Sequence, residues 1–251
     1  DIENQAKDAD STRTINENLI IAIKKNDVMR LSASPEISGI NETIVVTADE
    51  LRAIASRCTS TAWCLWNHLC TFHHFAALLG RGNIDFLGEV VSRHEWVCFP
   101  AGAATKVKGS PTSSHTELNG IASFGSGARY AEWAGVVFNE DTSSSPQFAF
   151  ADLRLPGVTI EATWEAMSLR ASSTDHIHYK KTLIPSNLIV PWPYKYREHF
   201  RNPETPMIHH RYREDWVAIS VMWLGAMATG VADSSLNETI EGIKERIAIF
   251  G

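Results

Sequence analysis

The feature that most constrains this chain is a change of period along its length. Up to about residue 93 apolar side chains recur three and four apart, the spacing of a helix face. From His94 to Pro193 they fall instead into short β-prone runs broken by Gly, Ser, Pro and Asn, and from about His209 the helical spacing returns. Helices, then strands together, then helices again predict an α+β fold with segregated elements rather than alternating βαβ units. The expected organisation is an N-terminal helical domain over 1–93, a central all-β, barrel-like domain over 94–193, and the start of a C-terminal helical bundle over 194–251.

Local signals fill in the elements. Residues 1–12 read as a polar tail, and Ile15, Leu19, Ile20, Ile23 and Val28 mark a helix within Thr14–Arg30. Thr47-Ala-Asp-Glu50 has the form of a capping box and predicts a helix from there to about Arg57. A longer helix is expected over Thr59–Leu79, stopped by Gly80, and a short one from Asn83 to about Arg93. Strands are expected in EWVCF, TKVKG, ELNGIASF, AGVVFN, QFAFADL, GVTIEATW and HIHYKKTLI. After a proline-rich connector, one helix is expected to run to about Ala232 and another to start near Ser235.

Composition removes several functions. With 44% hydrophobic and 21% charged residues the chain can bury a core, so disorder is excluded. A net charge of −6 with no long basic run argues against nucleic acid and against anionic membrane surfaces. The uncharged run from Trp216 to Ala232 is expected to be a buried helix rather than a membrane span. Cys58, Cys64, Cys70 and Cys98 form no CxxC pair, and free thiols in a reducing, cytoplasmic setting are expected. No G-x-G-x-x-G, P-loop or G-x-S-x-G is present, so nicotinamide binding, NTP hydrolysis and α/β-hydrolase chemistry find no support.

Three segments together carry a specific resemblance. They are Arg57-Cys-Thr-Ser-Thr-Ala-Trp63; Glu117-Leu-Asn-Gly-Ile-Ala-Ser-Phe-Gly-Ser-Gly127 followed by Ala131-Glu-Trp133; and Trp164-Glu-Ala-Met-Ser-Leu-Arg-Ala-Ser-Ser173 followed by Ile184-Pro185. In order and separation they resemble the acyl-CoA dehydrogenase superfamily, in particular its two-component flavin-dependent monooxygenase branch. Ser168 and Ser172 stand where that pattern has Gly and Thr, and family members continue into a longer C-terminal bundle. The resemblance implies an oxygenase that takes reduced FMN or FAD from a separate NAD(P)H-flavin reductase. It would form a C4a-hydroperoxyflavin with O2 and oxygenate a small aromatic or amine substrate, and it would work as a homo-oligomer, most simply a tetramer. An acyl-CoA dehydrogenase is the alternative, and an inactive partial homologue kept for assembly is a third reading.

Site residues follow on the same terms. The resemblance places Phe124, Gly125 and Ser126 along the flavin, with Phe124 and Ser126, two apart, expected on one strand face. It places Cys98, Phe99, Pro100 and Ala104 in a flavin loop, and Trp164 at the cofactor. The aromatic-rich helix from Trp63 to Phe75, with Trp66, His68 and Phe72, would form a substrate wall. His68 and Ser126 are the expected catalytic residues, His68 as general base on a phenol or proton donor to a flavin hydroperoxide. A core histidine bonded to a backbone carbonyl is the competing reading of His68, and His73 and His74 read as structural or exposed. His176 and His178 share one side of a strand at metal-like spacing, but no third ligand is evident, so no metal site is expected.

Overall fold

The computed structural model describes residues 2–100, 105–140, 143, 145–192 and 196–250. The helical part opens with α1 (Ile2–Thr12) and α2 (Glu17–Lys24), then a 3₁₀ turn at Asp27–Arg30. The first of these corrects the expectation of a polar tail: Ala9 is buried against the helical core, and an ion pair from Arg57 to Glu3 ties α1 to the chain beyond α3. Helix α3 (Ile44–Ala55) starts ahead of the proposed capping box. Its N-cap is Thr43, whose hydroxyl accepts from the Val46 amide at 3.2 Å, while Thr47 lies buried inside the helix. Helix α4 (Thr59–Leu79) has the expected bounds, and α5 (Ile84–Ser92) closes the unit.

The β part comprises β1 (Val97–Cys98), β2 (Lys106–Pro111), β3 (His115–Gly125), β4 (Trp133–Glu140), β5 (Gln147–Asp152), β6 (Val158–Glu161), β7 (Asp175–Pro185) and β8 (Ile189–Pro191). Every expected strand is present, and the short β8 is additional. They form one sheet in the order β6-β7-β3-β2-β4-β5-β8, with β1 paired parallel to β4. Most pairs are antiparallel; β2 and β4 run parallel. Two apolar clusters flank α4. One is aromatic and joins α4 and α5 to the sheet through Phe75, Phe138, Phe148 and Phe150; the other is helical, built from α2, α3, α4 and Trp223.

Past the sheet come the short α6 (Tyr196–Arg201) and a single helix α7 (Trp216–Phe250). The expected break near Ser235 is absent, because Asp233, Ser234 and Ser235 continue the helix without Gly or Pro to stop it. Nor is α7 buried all round. Ile219, Trp223 and Met227 pack on α3 and α4, whereas Val221, Met222, Leu236, Ile240 and Ile243 are exposed. By length and composition Trp216–Arg246 could cross a membrane, and only 28% of its most apolar window is buried.

The tightest joint between helix and sheet is at Gly135 on β4. A Cβ there would sit 2.5 Å from the Phe75 ring and 2.8 Å from that of Phe148, and Phe75 and Phe148 are themselves fully buried. Gly135→Ala is expected to destabilise the fold by about 1–3 kcal/mol, the usual cost of overpacking. Urea unfolding at neutral pH checks this; a variant as stable as the parent would show that the joint is slack.

Candidate functional site

The strand β3 does not end in regular alternation. Its pairing with β7 slips between Ala122 and Gly125, so that Ser123 and Phe124 together oppose His176. Phe124 takes a left-handed backbone (φ +63°), unusual for a bulky residue, and its ring is 47% exposed. The bulge overturns the expectation that Phe124 and Ser126 share one face. Phe124 is turned out, whereas Ser126 is buried: its hydroxyl accepts from the Trp63 indole N–H at 2.8 Å and pairs with the Thr174 hydroxyl at 3.1 Å. Thr174 in turn bonds Ser172 at 2.7 Å. Gly127 (φ +79°) then brings its amide onto the Ser172 carbonyl at 2.8 Å.

Asp175 holds this corner together. Its side chain has no exposed surface, and one carboxylate oxygen accepts from the Thr163 and Trp164 amides at 2.9 and 3.1 Å. The other accepts from the Ser173 hydroxyl and the Arg129 guanidinium, both at 2.7 Å. Burial pushes its pKa up, but the Ser173, Thr163, Arg129 and Trp164 bonds outweigh burial and hold it below the usual carboxylate value. Trp164 is thereby fixed at the backbone, and its indole N–H closes the loop on the Leu169 carbonyl at 2.8 Å.

A second strand end lies further along α4. Asn67 clamps the backbone of Phe99, accepting from its amide at 3.0 Å and reaching its carbonyl at 3.5 Å. Asn67 was not expected at the site, whereas Trp63 was expected in the substrate wall and here anchors Ser126. Both sit on one helix face, four apart, with His74 seven residues further on. His74 is fully buried among Phe99, Phe148, Trp192, Phe200 and Trp216, at ring distances of 4.3–6.2 Å. Neither of its ring nitrogens has a hydrogen-bond partner among the described residues, and burial, with His73 beside it, lowers its pKa to about 3. The spacing 63, 67, 74 was the available sequence signal. It was obscured because aromatic residues occupy almost every face of this helix.

Other expected site residues are placed elsewhere. Cys98 is fully buried in the sheet core, with its thiol pKa pushed up by burial, so only its backbone is left for the expected flavin loop; Pro100 is buried too. Ala104 lies outside the described residues. Trp66 ties α4 to α7 through its indole N–H and the Ser220 carbonyl at 2.9 Å, and stacks obliquely on Trp63 at 4.8 Å. Phe72 is core. His68 corrects the proton-transfer reading. Its Nδ1 accepts from the Val97 amide and its Nε2 donates to the Met29 carbonyl, both at 3.0 Å, so the neutral ring is bound on both sides. Burial lowers its pKa to about 4. It is the core histidine of the competing reading, staying neutral at physiological pH.

No family model matches the chain. The oxygenase component of p-hydroxyphenylacetate 3-hydroxylase from Acinetobacter baumannii is 24% identical over 187 residues, covering 73% of this chain and 43% of its own length. XiaF from a Streptomyces species, solved with FADH2 and glycerol, superposes with a TM-score of 0.83 at 16% identity, over 96% of this chain and 60% of XiaF. The chain has the acyl-CoA dehydrogenase-type fold of flavin monooxygenases. TdsC from Paenibacillus sp. A11-2, solved with FMN and indole, has that fold too, with a TM-score of 0.82 at 15% identity over 96% of this chain and 61% of TdsC. The chain therefore spans less than two thirds of the length of these relatives.

His68 gives a direct test of the corrected role. His68→Ala leaves the Val97 amide and the Met29 carbonyl buried and unpaired, at about 1–3 kcal/mol each, so a clear loss of stability is expected at neutral pH. The pH dependence has a definite sign. The folded pKa lies below the ordinary 6.5, so the unfolded chain binds the extra proton and stability falls as pH drops from 6.5 towards about 4. Unfolding curves at pH 7 and pH 5 should show this decline, and show it less steeply in His68→Ala. A variant as stable as the parent would return His68 to a functional role.

Proposed function

We propose that this chain forms the flavin-binding part of an oxygenase component that takes up reduced FMN or FAD and oxygenates a small aromatic substrate. The observation that carries the reading is the bulged end of β3, where the exposed Phe124 ring stands beside the anchored Ser126 corner. A flavin ring is a flat apolar plate with a polar rim, and an aromatic platform beside a corner of amides and hydroxyls fits it. Phe124 lies at φ +63° between the paired residues Ala122 and Gly125, on either side of the bulge.

When bound, the reduced flavin supplies two electrons to O2, so that one oxygen atom enters the substrate and the other leaves as water. The chain's own residues position and desolvate. Phe124 stacks on the plate, Trp63 fixes Ser126 at its edge, and Asn67 holds the Phe99 backbone at the opposite strand end. The aromatic box around His74 provides the apolar wall of the substrate side, and the His74 ring nitrogens within it have no hydrogen-bond partner among the described residues. Support for an aromatic substrate comes from the relatives: one is the oxygenase component of p-hydroxyphenylacetate 3-hydroxylase, and TdsC is solved with indole bound. A separate NAD(P)H-flavin reductase is the implied partner, in keeping with the words "oxygenase component". The four free, buried cysteines suit a reducing, cytoplasmic setting. We read 1–93, 94–193 and 194–251 as the three structural units.

Anaerobic titration with reduced flavin tests the reading. Phe124→Ala removes a stacking surface worth about 1.5–3 kcal/mol, so affinity should fall roughly 10- to 100-fold with the fold intact. Unchanged affinity would remove Phe124 from the site. Bleaching of bound oxidised flavin by an acyl-CoA would move the reading to dehydrogenation.

The exposed apolar side of α7 calls for a partner surface, and a homo-oligomer, most simply a tetramer, is the proposed cover. Light scattering at micromolar concentration should show an assembly that Val221→Glu with Ile240→Glu dissociates; a stable monomer would refute it.

A further inference from the structure

We propose that His176, His178 and Glu161 form a binding site for a divalent transition metal of the zinc class on the outer face of the β6–β7 pair. In β7, Asp175, Ile177 and Tyr179 are buried, so the intervening His176 and His178 both project from the opposite face. The third ligand comes from the neighbouring strand: β6 runs antiparallel to β7 with Glu161 directly opposite His176. One donor atom from each of the three lies within 4.8 Å of the other two. This is the ligand that a reading along the sequence does not supply, because it is brought in by strand register and not by local spacing.

The donor set decides the metal. Two imidazole nitrogens with one carboxylate oxygen suit zinc, copper or nickel, whereas calcium and magnesium take oxygen cages. Tetrahedral zinc with bonds of about 2.0–2.2 Å places its ligand atoms roughly 3.4 Å apart. His178 Nε2 and Glu161 Oε2 are 2.7 Å apart as an ion pair and open by less than an ångström to admit the ion. Glu161 is exposed and both histidines are only half-buried, so their side chains can make that adjustment while the strands stay fixed. Three protein ligands leave a fourth position for water or an incoming donor. The Phe124 ring meets the His176 ring edge-on at 6.4 Å, so the site borders the bulged end of β3, but its metal affinity does not depend on the flavin reading.

Calorimetric titration of the full, metal-free chain with Zn2+ tests the proposal. The expected result is one Zn2+ per chain, lost in the His176→Ala/His178→Ala double variant. Glu161→Gln, which keeps shape and exposure, should bind at least about tenfold more weakly, the loss that even outer-shell partners commonly cause. His209→Ala/His210→Ala, which removes a second imidazole pair whose rings lie 3.9 Å apart, should leave binding unchanged. Circular dichroism melting checks that each variant is folded. No Zn2+ binding by the parent, or equal binding by the double histidine variant, would overturn the site. Equal affinity in Glu161→Gln would remove the carboxylate and with it the three-ligand assignment.

Discussion

One buried charge organises the bulged β3–β7 corner of this protein. Asp175 has no exposed side-chain surface, and it remains ionised because four donors converge on it from three places in the chain: Thr163 and Trp164 from the loop after β6, Ser173 from its own approach, and Arg129 from the turn after β3. Removing one partner of such a group strands a charge in the interior, at about 3–5 kcal/mol, so the network acts as a unit. Its consequence is geometric. With the Ser172–Asp175 segment fixed, the Ser126 hydroxyl and the Gly127 amide have set partners, and the bulge before them has one conformation. The exposed Phe124 ring is the outcome.

Helix α4 is the other constraint, and it works by being buried on almost every side. A helix of this kind can be held only between two cores, and here the aromatic sheet-side cluster and the helical cluster supply them. Its polar side chains are then placed by what their partners leave unpaired. His68 bridges the Met29 carbonyl and the Val97 amide, and Asn67 satisfies the Phe99 backbone; both are ties between the helical and β parts. His74 differs from them in having no such partner among the described residues. That difference, and not its residue type, makes it the more interesting histidine.

Much of the fold could be read along the chain because the signals were local. The alternating runs located all seven expected strands, and Gly80 after a long apolar stretch fixed the end of α4. Where the reading failed, tertiary contacts decided. Helix α1 is polar over most of its surface and is held by Ala9 and the Arg57–Glu3 pair, neither visible as a pattern. The β-branched Val45, Val46 and Thr47 argue against a helix start at Thr43, yet packing of α3 on α7 overrides that propensity. Of the motif residues, Ser126 pairs with Thr174 and the Trp164 amide with the adjacent Asp175. The bulge that separates the exposures of Phe124 and Ser126 comes from the β3–β7 register, which no single strand carries. Glu161 beside His178 was hidden for the same reason.

The central claim is that reduced flavin sits across the two strand ends that α4 fixes. Hydrogen–deuterium exchange with and without reduced FMN or FAD, under anaerobic conditions, tests it most directly. Slowed exchange is expected at the end of β3 through Gly127 and around Cys98–Phe99, with the outer face of α7 unchanged. Protection confined to other segments, or none at saturating reduced flavin, would contradict it.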